Sequence, residues 1–391
     1  MLHNIIILAG SPFNIRDYSR FGVDILKRHF RVFVYDCTPW INPHLWKEFK
    51  NGHICPEYKA IFSWEQFVHQ ITHIHPGIAI DHLGGCVYQY QIHKMLRDAR
   101  HLRAVTHDGL IPASHRSSIQ QIQQLKMMYS LPGVFFQLAT HLKRKILSCF
   151  QKMLPPDIAI LSGEDALRDF RVQTKHKIWA HSFDYDLYLR FRNHAGASPK
   201  PYAVFLDSDM AYHSDFIHMG IRPPVTAGKY YPALLNFFDY FKHHTGLDLM
   251  FAAHPKSHYD LRPHLLNGLQ PMMGKTPELV RDAELVLCHD STAVSFPILW
   301  RKPIILLTSN ELERSWVRLD ISNFSKLLHA PIVNIDCLPR LNPDLKTWMR
   351  IDEDAYDAYK KRYIKMPGTP EKPVWEIFAD YVKNNLKDLI S

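Results

Sequence analysis

The chain has 391 residues, of which 46% are hydrophobic and 22% charged. That balance excludes a disordered or collagen-like chain and suits a globular protein with a sizeable core, and at roughly 150 residues per domain it points to two or three domains. Lys plus Arg number 47 against 38 Asp plus Glu, a formal net charge of +9, which favours anionic partners: nucleic acid, phosphorylated ligands or an anionic membrane surface.

Asn4 to Leu8 is a β-branched run that stops at Ala9-Gly10-Ser11-Pro12; an amphipathic stretch covers about Asp17 to Arg28, and Arg31 to Asp36 reads as a second strand. Strand, Gly-containing turn, helix and strand in succession make a βαβ unit. The alternation continues with Gly77 to Asp81 (strand), Tyr88 to Ala99 (helix), Leu102 to Thr106 (strand), Val134 to Leu154 (helix), Ile158 to Leu161 (strand) and Ile178 to His181 (strand). The small, polar, Pro-bearing segment 193–201 reads as a linker. After it come Tyr202 to Leu206 (strand), Tyr231 to His243 (helix), Leu247 to Ala252 (strand), Thr276 to Asp282 (helix), Leu285 to Cys288 (strand), Ala293 to Trp300 (helix) and Pro303 to Leu307 (strand). Trp375 to Leu389 has apolar residues at helical spacing. Two doubly wound α/β domains account for this order, with strand carboxyl ends facing a cleft. In such sheets ligands bind outside those ends.

The loops after strands therefore hold the candidate chemistry. Ala253-His254-Pro255-Lys256 follows a strand: an imidazole there suits a phosphate oxygen, and Lys256 adds positive charge. Its plain alternative is a turn with a surface His. His289-Asp290-Ser291-Thr292 runs into a helix, where backbone N–H groups and the hydroxyls suit an anion; the alternative is simple N-capping. Thr106-His107-Asp108-Gly109 places a carboxylate suited to general-base work, although Asp-Gly is also a common turn. Asp207-Ser208-Asp209 ends the first strand after the linker, either contacting a donor or capping the next segment. Gly10 and Ser11 stand at the first strand's end, and Lys275 precedes the helix from Thr276. Gly10-Ser11-Pro12 departs from GxGxxG, and there is no Walker A or HExxH sequence.

Cys37, Cys55, Cys86, Cys149, Cys288 and Cys337 are scattered, without a CxxC pair, a spacing that fits reduced thiols better than a disulfide framework or zinc site. No metal is expected. No run approaches the roughly 18 apolar residues of a membrane-spanning helix. Met1 leads into Leu2-His3-Asn4 without a basic segment or cleavage site, so the expected place is the cytoplasm, free or peripheral on the inner face of the membrane. The helix from Val134 to Leu154 carries Lys143, Arg144, Lys145 and Lys152 beside an apolar face, which suits either an anionic membrane surface or an ordinary solvated face. No nucleic-acid-binding module or aromatic–basic interleaving is present, so nucleic acid is not an expected partner.

Asp-Gly in the first half, then His-Pro, then Ser-Thr in the second resembles the bacterial sialyltransferase and polysialyltransferase group. The related Kdo transferases and wall-polymer glycerophosphotransferases share the layout. The resemblance implies the GT-B fold of two Rossmann-like domains, with 1–192 as acceptor domain, 193–201 as linker and 202–370 as nucleotide-sugar donor domain. It further implies that 371–391 is a helix packing back on the first domain. It implies transfer of an acidic sugar from a CMP-activated donor, the co-substrate, to a glycan or lipid-linked glycan acceptor, without a separate cofactor. Asp108 would serve as base, His254 would meet the departing phosphate, and Ser291 and Thr292 would bind it. The first acidic position of the motif is His107 here, which leaves Asp207 or Asp81 as alternative bases. The rival readings are a GT-B enzyme using a UDP- or GDP-sugar or CDP-glycerol, a sugar-nucleotide epimerase, and a non-enzymatic nucleic-acid binder.

Overall fold

The computed structural model describes residues 3–49, 55–84, 88–107, 112, 127–128, 154–168, 174–194, 196, 200–213, 216, 221–338 and 345–386. They form two compact units. One holds the described residues of Met1–Leu110, Thr140–Asp186 and Lys365–Ser391; the other holds those of Ile111–Ala139 and Leu187–Ile364.

The first unit is built on β1 (Asn4–Ala9), β2 (Arg31–Asp36), β3 (Tyr58–Ala60), β4 (Gly77–His82), β5 (Leu102–His107), β6 (Ile158–Leu161) and β7 (His176–Trp179). Their order is β3-β2-β1-β4-β5-β6-β7, every pair parallel. Ile5, Ile6, Ile7 and Leu8 are all fully buried, because helices cover both faces of a parallel sheet and its strands must be apolar throughout. Period-two alternation then divides them. Ile5 and Ile7 join a core with Val32, Val34, Trp375 and Phe378; Ile6 and Leu8 join another with Phe67, Ile71, Ile92 and Leu96.

The helix Val374–Asn385 belongs to the first of these cores. Trp375 is fully buried and its indole N–H donates to the Arg20 carbonyl at 2.8 Å. A Cβ on Gly22 would lie 2.3 Å from that indole, and Gly22 has φ +55°, so glycine meets both the steric and the backbone demand.

Two buried acids tie down strand ends in this unit. Asp36, the last residue of β2, accepts the N–H groups of Phe13 and Thr38 and the Tyr58 hydroxyl. Asp81, near the end of β4, lies 2.7 Å from His93 Nε2 and 3.1 Å from Arg103 Nη1. Burial alone would raise the Asp81 carboxyl, but the His93 bond and charge and the Arg103 guanidinium outweigh it and hold it well below the usual carboxylate range. A carboxylate so paired is a poor proton acceptor, so the geometry gives Asp81 a structural occupation in place of the alternative base role.

The second unit is built on β8 (Tyr202–Leu206), β9 (Asp248–Ala253), β10 (Pro271–Met273), β11 (Leu285–Cys288), β12 (Ile304–Thr308) and β13 (Ile332–Asn334). Their order is β10-β9-β8-β11-β12-β13, again all parallel. Both sheets thus run outward from their first strand, then restart on its other side, the Rossmann order. The helix Ala227–Thr245 begins four residues earlier than the sequence expectation and contains Pro232. Proline there removes one rung of the ladder, while buried Tyr230, Tyr231, Leu234, Phe237 and Phe238 hold that face down. The helix expected over Ala293 to Trp300 is a 3₁₀ turn, Thr292–Val294, continued by Ser295–Leu299.

Candidate functional site

β8 is the switch strand of the second sheet: the chain leaves it toward β9 on one side and returns to β11 on the other. The loops after these three neighbouring strands carry most of the residues singled out in the sequence. Asp207 and Ser208 follow β8; His254, Pro255 and Lys256 follow β9; Asp290, Ser291 and Thr292 follow β11.

A single carboxylate joins the first two loops. Asp207 is 5% exposed. Its Oδ1 accepts the Asp209 backbone N–H at 2.9 Å, and its Oδ2 accepts the His254 backbone N–H at 3.2 Å and the Tyr259 hydroxyl at 2.9 Å. His254 is half-buried. The Lys256 backbone N–H lies 3.2 Å from its Nδ1. A backbone N–H can only donate, so Nδ1 accepts, and in the neutral ring the proton resides on Nε2. The imidazole is thereby set as a hydrogen-bond donor through Nε2, the polarity a phosphate oxygen requires. Pro255 and Lys256 are exposed.

The third loop is pinned from below. His289 is fully buried; its Nδ1 donates to the Leu307 carbonyl at 2.7 Å, and its Nε2 lies 2.6 Å from the Tyr230 hydroxyl. Burial lowers its pKa to about 4, against the opposing effect of the Leu307 carbonyl. The ring is therefore neutral and takes the Tyr230 proton into its hydrogen bond. Ser291 uses its hydroxyl on the Ala293 N–H at 3.2 Å, the capping role foreseen as its plain alternative, while Thr292 is exposed.

Three acids at this edge bind protons more tightly than usual. Burial pushes Asp207 up to about 7 despite its three donors. Burial also takes Asp209 up to about 6, opposed by the Arg262 guanidinium. Asp290 rises to about 8 through desolvation and the neighbouring Asp320 carboxylate.

The remaining candidates stand apart. Lys275 is exposed after β10, the edge strand, and precedes the helix Thr276–Asp282. Gly10 and Ser11 follow β1 in the first sheet. A Cβ on Gly10 would lie 2.3 Å from the Leu83 carbonyl oxygen, so Gly10 has a packing reason to be glycine; Ser11 is exposed. Asp108 and nearly all of Val134 to Leu154 lie outside the described residues. His107 is 7% exposed at the end of β5, and its carbonyl accepts the Ser162 hydroxyl.

Several residues of the site escaped the sequence reading. Tyr259 and Tyr231 form the hydroxyl chain behind Asp207. The His213 and His254 rings are 4.5 Å apart, and the Arg262 guanidinium lies 4.0 Å from the Tyr212 ring centroid. Asp209, read as a capping option, has φ +45° and is 1% exposed. A Tyr five residues beyond a His-Pro has no sequence signature, and a left-handed Asp looks like any other Asp.

Among the described residues, no group of three or more His, Cys, Asp or Glu stands together to hold a metal ion. No helix among them is long and apolar enough to cross a membrane.

The sequence matches no family model and no curated protein. Solved structures do match it along nearly its whole length. The wall teichoic acid polymerase TagF, as its H548A variant, shares 11% identity at a TM-score of 0.57, covering 99% of this chain and 90% of that one. A UDP-N-acetylglucosamine 2-epimerase shares 12% identity at 0.50, covering 99% and 97%. The calicheamicin glycosyltransferase CalG4 shares 8% identity at 0.50, covering 100% of both chains. Together with the two parallel sheets, these likenesses establish the GT-B fold of two Rossmann-like domains.

Proposed function

We propose that the chain is a GT-B glycosyltransferase that receives the phosphate of a nucleotide-sugar donor at the carboxyl edge of β9, β8 and β11. The observation that supports this reading best is the Asp207 clamp, which joins the loop after β8 to the loop bearing His254 at the switch strand. Ligands of Rossmann-type sheets bind at that point. A UDP-N-acetylglucosamine 2-epimerase and the calicheamicin glycosyltransferase are among the proteins that share the fold.

In this reading the acceptor hydroxyl attacks the anomeric carbon as the bond from that carbon to the donor phosphate oxygen breaks. Charge grows on the departing phosphate, and His254 Nε2–H, with Lys256 two residues on and the Thr292 hydroxyl on the loop after β11, is proposed to meet it. Donors fixed in advance act strongly because they need no reorganisation during the reaction. The acceptor proton passes to Asp108, the base assigned by the motif. A CMP-activated acidic sugar, of the nonulosonate or Kdo type, is the donor the three motifs favour, and a bacterial surface glycan is the acceptor. A peripheral site of action at the inner membrane face fits the basic charge. The nucleotide sugar is a co-substrate, and the reading assigns no further cofactor.

The test is a thermal-shift panel of CMP, CDP, UDP, GDP and ADP on the wild type and His254→Ala. At 100-fold excess over Kd a ligand stabilises the native state by about 2.7 kcal/mol. Selective stabilisation by CMP, much reduced in the variant, is the expected result. UDP or GDP selectivity keeps the transferase and changes the donor class, while CDP alone moves it to glycerol phosphate transfer. An epimerase converts a UDP-sugar with no acceptor present, which a transferase does not. If no nucleotide stabilises the protein, the reading fails.

A further inference from the structure

Behind the His254 loop runs a directed line of buried hydroxyls. The Tyr231 hydroxyl, from the helix Ala227–Thr245, lies 3.3 Å from that of Tyr259, which itself lies 2.9 Å from Asp207 Oδ2. Tyr259 has one proton and gives it to Asp207, so the Tyr231 hydroxyl donates to Tyr259. Tyr231, Tyr259 and Asp207 are 2%, 3% and 5% exposed. Burying a carboxyl here is costly, and an apolar side chain would fill the space without that cost. What an apolar residue cannot do is bind two backbone amides from two loops at once. One of those amides belongs to Asp209, a non-glycine residue in left-handed backbone, a conformation that persists only where surrounding contacts enforce it. The other belongs to His254.

We infer that Asp207, oriented by Tyr259 and Tyr231, is a positioning residue that sets where the His254 imidazole stands, and does not itself contact the donor. Both of its oxygens accept protein donors and the residue is 5% exposed, so this inference departs from the ligand contact expected of it in the sequence. The inference rests on the reading that His254 meets the donor phosphate. Its geometric half, the clamp on the His254 amide, is independent of that reading.

Tyr259→Phe deletes one O–H and keeps the ring; Asp207→Asn keeps the size and replaces one acceptor oxygen with a donor. Amide deuterium exchange of the full chain, without ligand, reads the clamp: in Asp207→Asn the amide facing the new NH2 group, that of His254 or that of Asp209, should exchange at least tenfold faster while the other keeps its acceptor oxygen, and His254 should accelerate by a smaller factor in Tyr259→Phe. Titration with CMP and UDP reads the consequence: Tyr259→Phe should weaken binding about tenfold in the wild-type background and leave it unchanged in His254→Ala. Equal weakening in both backgrounds would mean a merely structural tyrosine and would overturn the inference. So would unchanged exchange in Asp207→Asn. Accelerated exchange with no nucleotide bound by any form keeps the clamp and instead refutes the phosphate-site reading.

Discussion

Gly10→Ala separates a packing role at the first sheet from ligand binding at the second. A methyl group at this position would sit 2.3 Å from the Leu83 carbonyl oxygen and under 3 Å from the Leu83 carbonyl carbon and Cα. All three are backbone atoms, so no side-chain rotation relieves the contact. The loop after β4 must retreat by about 1 Å, and the Gly10 N–H to His82 carbonyl bond, 3.1 Å long, must stretch or break. Overpacking of this kind costs about 1–3 kcal/mol and loss of the bond about 1 kcal/mol; the smaller unfolded-state entropy of Ala offsets about 0.4–1 kcal/mol. The net loss is about 1–3.5 kcal/mol, or about 2–14 °C in the midpoint of a unit of this size. Calorimetry on the full chain, with and without the nucleotide that stabilises the wild type, checks both parts. The first-unit transition should fall while the nucleotide-induced shift of the second keeps its size. A variant within 0.5 kcal/mol of wild type would refute the steric reasoning, and an abolished nucleotide shift would return Gly10 to the binding site.

Trp375→Ala should cost about 3–5 kcal/mol of first-unit stability, because the indole is fully buried and bonded to the Arg20 carbonyl; urea unfolding that shows under 1 kcal/mol would mean that the helix Val374–Asn385 contributes little to that core. The pH dependence of the second unit has a definite sign. Asp207, Asp209 and Asp290 are raised to about 7, 6 and 8, so near neutrality the native state keeps protons that the unfolded chain has released. Stability from these groups is complete below about pH 4 and falls as pH rises toward 8, by up to about 1.4 kcal/mol per pH unit for each acid still protonated. His289, lowered to about 4, acts oppositely between about pH 4 and 6.5. The decline should therefore be clearest from pH 6.5 to 8 in urea titrations, and Asp290→Asn should flatten it; a rise over that window would contradict the assignment.

The long strands were legible because burial on both faces leaves an unbroken apolar run: Tyr202–Leu206 and Leu285–Cys288 have the limits read from the sequence. β3, β10 and β13 were not foreseen. Each is three residues long at or near a sheet edge, too short to display a period. At the site, His-Pro and Ser-Thr were visible as turn chemistry after strands, and the sheet order brings their loops to neighbouring positions. The clamp itself was invisible: Asp207 and Tyr259 are 52 residues apart, and only the pairing of β8 with β9 makes them neighbours.

Deuterium exchange of the full chain with and without the saturating nucleotide tests the location of the site most directly. Protection is predicted in peptides covering 207–213, 254–262 and 289–294. Protection confined to the first sheet, at 10–13 and 82–84, would contradict the account.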